Sequence, residues 1–178
     1  MRTRQMVVAF LERSSSILLL HRSEDARLFP GMWAGVGGHV EPAEINDPAA
    51  AILREIREET TLTAGEIKDL QLKAIVLRLA GDEIRQQYVY FGRATRDVPQ
   101  VSPEGDLAWI PRSRVLEIPA SEATRAILAR HLSEGFGQEV AVGVLQAGPN
   151  GPETRWTDLT DWEPAAGPES PKWAEAEN

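Results

Sequence analysis

The chain has 178 residues and a mass of 19.6 kDa, and its 42% hydrophobic and 26% charged residues suit one globular domain with its own core rather than a wholly disordered chain. A formal charge of −8, from 19 basic and 27 acidic residues, has the wrong sign for a protein whose main partner is long nucleic acid. Without cysteine there is no disulfide, thiolate metal site or cysteine nucleophile; with no apolar run long enough to cross a bilayer and no secretory pattern at the start, the expectation is a cytoplasmic protein without membrane partners.

Met6 to Leu11 and Ile17 to His21 read as two strands joined by a turn at Ser14 to Ser16. Residues Phe29 to Glu44 are rich in Gly and Pro and read as a structured loop, with a short strand around Trp33 to Val36. Asp47 offers an N-cap and Pro48 a first helical residue, so a helix is predicted from Pro48 to about Thr60. Leu70 to Leu79 and Ile84 to Ala94 follow as strands around Gly81-Asp82, then Asp106 to Ile110 as another. Ala120 to Ser133 reads as an amphipathic helix with Ile127 and Leu128 inward. Val140 to Gln146 and Thr154 to Asp158 frame a hairpin turn at Gly148-Pro149-Asn150-Gly151. Mixed elements without regular alternation point to an α/β sandwich with a mixed β-sheet.

The last 32 residues hold seven acidic but only two basic side chains and five of the 12 prolines, which marks a change in organisation. The expected division is a main domain over 1–135, a hairpin extension packed on it over 136–162, and an acidic, flexible tail over 163–178.

The chemistry concentrates on the first helix. Glu55, Glu58 and Glu59 stand at i, i+3 and i+4, on one helical face, while Ala49, Ile52, Leu53 and Ile56 centre on another that can dock on a sheet. Like charges so spaced are mildly destabilising, by about 0.2–0.5 kcal/mol per pair on an open surface. A hard divalent cation offsets that cost, since Mg²⁺ takes carboxylate, phosphate and water oxygens. On the helix alone, a solvated acidic face is the more common meaning of such a run. The loop before it, Gly37-Gly38-His39-Val40-Glu41-Pro42-Ala43-Glu44, changes the balance.

Taken together, Gly38, Glu44, Arg54, Glu55, Ile56, Glu58, Glu59 and Leu62 resemble, in order, the signature of the Nudix (MutT-type) hydrolases. Two departures stand out: nine residues separate Glu44 from Arg54 where the family has seven, and Thr61 replaces a Gly at the helix end. The resemblance implies a Nudix-type α/β/α sandwich with a mixed β-sheet, to which the residues past Ser133 add a C-terminal β-hairpin extension that the signature does not explain. It also implies a Mg²⁺-dependent pyrophosphohydrolase, with Mn²⁺ as an alternative metal, acting on a small nucleotide. Glu58 and Glu59 are then the principal metal ligands, Glu55 a further ligand or water-polarising base, the Gly38 carbonyl a backbone ligand, and Arg54 the organiser of the acids, with Glu44 in support. Glu104, on a loop before a late strand, is the candidate for one more catalytic and metal-binding acid; Asp106 is its alternate.

Substrate contacts are expected from Trp33, Phe29 and His39, aromatic or basic residues in or near the same loop. Tyr88 is a further candidate for stacking a base, although each of these aromatic residues more often packs in a core. The stretch Trp33 to Gly38 resembles Nudix enzymes that remove oxidised purine triphosphates, but Ala34 and His39 stand where several of those carry Asn and Lys, which weakens the case for 8-oxo-purine selectivity. Arg22 and Arg27 could pair with phosphates but are common loop residues and stay outside the expected site. The leading expectation is hydrolysis of a nucleoside triphosphate, oxidised or not, to monophosphate and pyrophosphate. An ADP-ribose or nucleotide-sugar pyrophosphatase is the alternative, and a non-catalytic nucleotide-sensing module a more remote one. The C-terminal hairpin also raises homodimerisation as an expectation, because an added strand can pair across a two-fold axis.

Overall fold

The computed structural model describes residues 1–26 and 29–160; Arg27 and the expected acidic tail lie outside the described residues. Among the described residues, nine strands form a single sheet: β1 (Arg2–Arg13), β2 (Ser16–Arg22), β3 (Trp33–Ala34), β4 (Ile67–Ala80), β5 (Glu83–Ala94), β6 (Val101–Ser102), β7 (Gly105–Pro111), β8 (Ala141–Gly148) and β9 (Gly151–Asp158). The α-helices α1 (Pro48–Thr60) and α2 (Glu122–Ser133) complete it among the described residues. The strand order is β6-β7-β2-β1-β5-β4-β8-β9, with β3 attached to β2.

The pairing is mixed. β1 runs parallel to β5, and β4 parallel to β8, whereas β1–β2, β4–β5, β2–β7 and β8–β9 are antiparallel. β1 and β2 carry the continuous apolar runs Met6–Leu11 and Ile17–Leu20 because both faces of the sheet are covered there. Alternation sorts their residues: Val7, Ala9, Leu11, Leu18 and Leu20 pack with Ala51, Ile52 and Ile56 of α1. Val8, Phe10, Ile17 and Leu19 pack on the other side with Ile127 and Leu128 of α2. Sandwiching the sheet between the two helices gives the α/β/α arrangement.

The hairpin β8–β9 continues this sheet. Ala141 pairs with Ala74 and Leu145 with Arg78, and the turn closes at Gly148 and Gly151. Its outer strand is pinned by Arg130 of α2, whose guanidinium stacks over Trp156 at 5.2 Å and over Phe136 at 5.6 Å and pairs with Asp158 at 3.0 Å. Among the described residues, no helix is long and apolar enough to cross a membrane.

Strand ends extend further than hydrophobicity alone predicts. β1 begins at Arg2, four residues earlier than expected, because the polar stretch Arg2 to Gln5 is held by its ladder with Glu83 to Gln86. The short β6 was not anticipated, and the strand expected over Trp33 to Val36 is confined to Trp33–Ala34, with Val36 making an isolated bridge to Ala9.

Candidate active site

Helix α1 starts where its cap dictates. The Asp47 carboxylate accepts the Ala50 N–H at 3.0 Å, and Pro48, with no N–H to satisfy, occupies the first turn. It ends on Thr61, which adopts a left-handed conformation with φ 62° and returns its N–H to the Arg57 carbonyl. A β-branched residue there is strained by about 1 kcal/mol or more, the conformation a Gly would take freely. Arg96 holds the turn by donating to the Thr61 carbonyl at 2.8 Å.

Along the helix Arg54 gathers the acids. Its Nε and Nη2 donate to the two oxygens of Glu44 at 2.8 and 3.0 Å, a bidentate fork that ties the preceding loop to the helix. Its Nη1 reaches Glu55 at 2.9 Å and Glu58 at 3.1 Å, and Nη2 also bonds the His39 carbonyl at 3.0 Å. The two additional residues between Glu44 and Arg54 therefore fall in the turn before Asp47 and leave the Glu44–Arg54 pair in contact. The guanidinium holds the Glu44 carboxyl below its usual range.

The three helical acids occupy different environments. Glu58 is exposed, whereas Glu55 and Glu59 are buried. Burial pushes the Glu55 carboxyl up, with Arg54 opposing. Glu59 is pushed up to about 8, first by burial and then by the charges of Glu104 and Glu55. One Glu59 oxygen accepts the Gly37 N–H at 3.2 Å, and the other is buried with no hydrogen-bond partner among the described residues. Such an orphaned oxygen is costly to bury and is the kind of atom a cation satisfies.

Two glycines permit this approach. A Cβ on Gly38 would lie 2.5 Å from a Glu55 oxygen, and one on Gly37 would lie 2.2 Å from the Val7 carbonyl at a φ of +153°. The Gly38 carbonyl, expected as a backbone metal ligand, accepts the Val7 N–H at 2.9 Å, so only its second lone pair is left for an ion. Among the described residues, no three acids or imidazoles already converge into a metal cage, because Arg54 draws Glu55 and Glu58 to itself. A preformed cage is not required for Mg²⁺, which is held by one or two carboxylates together with substrate phosphate and water. The oxygen-only donor set and the orphaned Glu59 oxygen fit such a cation.

Beside these acids opens a cavity of about 390 Å³, within the range of small-molecule sites. Gly37, Gly38, His39, Glu104, Trp33, Ala34 and Phe29 line it. Glu104 stands opposite α1, close enough for its charge to raise both Glu55 and Glu59, and pairs with Arg22 at 3.4 Å. Asp106, the alternate, faces a separate depression with Val101 and Trp109. Trp33 is half-buried, its ring 4.8 Å from that of His21, while Phe29 is exposed beneath the Arg78 guanidinium at 5.7 Å. His39 is exposed and its Nε2 lies 3.2 Å from Arg4. Tyr88 packs against the α1-side core instead of the cavity. Sequence reasoning missed Arg78 and Arg85, which line the same cavity; their signal is the cross-strand register, invisible without the pairing.

Comparison with known proteins follows the same outline. A family model described as NUDIX domain matches residues 1–131. A nucleoside triphosphatase NudI of Enterobacter sp. (strain 638) is 32% identical over 140 residues, covering 70% of this chain and 94% of that protein. Its counterpart in Escherichia coli O81 is 31% identical over 137 residues, covering 72% and 96%. Among solved structures, a MutT NUDIX hydrolase from Burkholderia pseudomallei superposes with a TM-score of 0.59 at 26% identity, covering 72% of this chain and 98% of that one. A MutT protein from Bacillus halodurans has a TM-score of 0.64 at 23% identity, covering 86% and 97%, a likeness of fold.

Proposed function

The chain belongs to the Nudix hydrolase family, and from that premise we propose that it is a Mg²⁺-dependent pyrophosphohydrolase that converts a nucleoside triphosphate to its monophosphate and pyrophosphate. The observation that carries this reading is the Arg54-organised group of carboxylates beside a nucleotide-sized cavity, with one buried Glu59 oxygen left without a partner. The relatives named as nucleoside triphosphatases favour the triphosphate over ADP-ribose or a nucleotide sugar.

Glu55, Glu58 and Glu59, with Glu104 and the Gly38 carbonyl, would hold Mg²⁺ or Mn²⁺, which when bound neutralises phosphate oxygens and lowers the pKa of an attacking water. Arg54 keeps Glu55 and Glu58 oriented while remaining fixed itself by Glu44. Glu104 approaches from the β7 side, so acids from two elements would face a polyphosphate bound there. Water adds to phosphorus, the bond to the bridging oxygen breaks, and the water's proton passes to a carboxylate of this group, Glu55 being our assignment. Trp33 and Phe29 offer apolar faces to the nucleoside. Ala34 lacks the amide side chain that would single out an 8-oxo-purine, so the reading does not depend on an oxidised base.

The test is an assay panel of the common dNTPs, 8-oxo-dGTP, ADP-ribose and a dinucleoside polyphosphate with Mg²⁺. Release of pyrophosphate and monophosphate from a triphosphate, with a loss of at least about tenfold in Glu104→Gln, is expected. Preferential cleavage of ADP-ribose would replace the triphosphate assignment, and full turnover by Glu104→Gln would remove that residue from the site.

A further inference from the structure

The cavity does not end at the acids. Crossing the sheet from β1 through β5 to β4, its lining passes from Met6 to Gln87, Val76, Arg85 and Arg78, and it is closed by Leu145 and Pro152 of the hairpin β8–β9. That hairpin lies beyond the residues matched by the family model. Arg78 stands two strand spacings from β1, roughly 10 Å given the usual interval between strands.

The charge balance at this end is unusual. Arg4, Arg85 and Arg78 occupy paired positions on three adjacent strands. One carboxylate, Glu83, serves both Arg4 at 3.0 Å and Arg85 at 2.9 Å. Arg78 makes no ion pair among the described residues, its contact being with the Phe29 ring. Like charges directly opposite each other in a sheet are unfavourable. Burial, and then the charge of Arg85, lower the Arg78 pKa, with Glu83 pulling the other way more weakly. In a chain of net charge −8, this end of the cavity wall carries Arg78 and Arg85, with Glu83 already shared between Arg85 and Arg4, while the carboxylates that line the cavity, Glu104 and Glu122, come from outside β4 and β5.

We propose that Arg78 and Arg85, closed over by Leu145 and Pro152, form a second anion subsite that takes a phosphate carried by the nucleotide away from the diphosphate to be cleaved. The substrate class is thus a nucleotide with an additional phosphomonoester. This rests on the cavity being a nucleotide site, as proposed above. A guanidinium donates in a planar fork suited to phosphate, and charge-assisted bonds of this kind are the strong ones. Leu145 pairs with Arg78 across β4 and β8, so the hairpin supplies one wall of the subsite.

Calorimetric titration of the full chain with AMP, adenosine 2′,5′-bisphosphate, adenosine 3′,5′-bisphosphate and inorganic phosphate tests this. One of the bisphosphates is expected to bind at least about tenfold more tightly than AMP. Arg78→Gln should bring that ratio close to one. So should Leu145→Asp, which keeps the guanidinium but sets a carboxylate at its paired position, separating loss of the anion site from loss of the fold. Equal binding of AMP and both bisphosphates by the wild type would overturn the proposal, as would a preference that survives both variants. Arg78-dependent binding of inorganic phosphate with no gain for the bisphosphates would overturn it in favour of a free-anion site. If no nucleotide binds and no triphosphate is hydrolysed, the nucleotide reading itself fails as well.

Discussion

Replacing Glu59 with Gln removes a charge that the metal-free fold bears poorly. The residue is 4% exposed, one carboxylate oxygen has no partner among the described residues, and the carboxyl is pushed up from 4.5 to about 8. Below pH 4.5 the folded and unfolded chains both hold the proton, and nothing is lost. As pH rises from 4.5 towards 8, the unfolded chain releases its proton and the folded chain does not. Stability then falls by about 1.4 kcal/mol per pH unit and levels off above 8, a total of about 5 kcal/mol. Gln keeps an acceptor for Gly37 and has no such dependence. In EDTA, urea unfolding should place the two proteins within about 1 kcal/mol of each other at pH 5, with the variant more stable by several kcal/mol at pH 8. Added Mg²⁺ should raise the wild type more than the variant. Parallel stability profiles from pH 5 to pH 8 would refute the reasoning, because they would mean that Glu59 ionises as easily folded as unfolded.

Three further outcomes are expected. Arg54→Lys keeps the charge but loses the fork onto Glu44 and the reach to Glu55 and Glu58; kcat should fall by about 10²-fold in a steady-state assay with little change in melting temperature. Thr61→Gly relieves the left-handed helix end and should stabilise the protein by about 1 kcal/mol, a rise of about 2–4 °C in Tm by calorimetry. Trp156→Ala removes the ring under Arg130 and beside Phe136, so hydrogen exchange in β9 should accelerate markedly while α1 stays protected.

The first helix could be read in full from the sequence, its limits at Pro48 and Thr60 included, because capping chemistry is local: Asp47 and Pro48 start it whatever else the chain does. Glu55, Glu58 and Glu59 share a face by helical spacing alone. Their separate environments were not readable. Burial of Glu59 and exposure of Glu58 depend on where the Gly37–Gly38 loop crosses the helix, a tertiary fact. Strand extents were underestimated for a similar reason, since Arg2 to Gln5 is held by pairing with β5 and has no apolar pattern to announce it. Glu104 and Asp106 look alike in sequence, and only the β2–β7 register sends one to the cavity and the other to a different depression. Arg78 and Arg85 gain meaning only once β4 and β5 are aligned.

The central claim is that the acids of α1 gather the divalent ion on which phosphoanhydride hydrolysis depends. The most direct measurement is turnover of a nucleoside triphosphate by Glu58→Gln/Glu59→Gln, alongside Mg²⁺ titration followed by calorimetry. Loss of Mg²⁺ binding together with a fall in kcat of at least about 10³-fold is predicted. Wild-type hydrolysis by the doubly neutralised enzyme would contradict it.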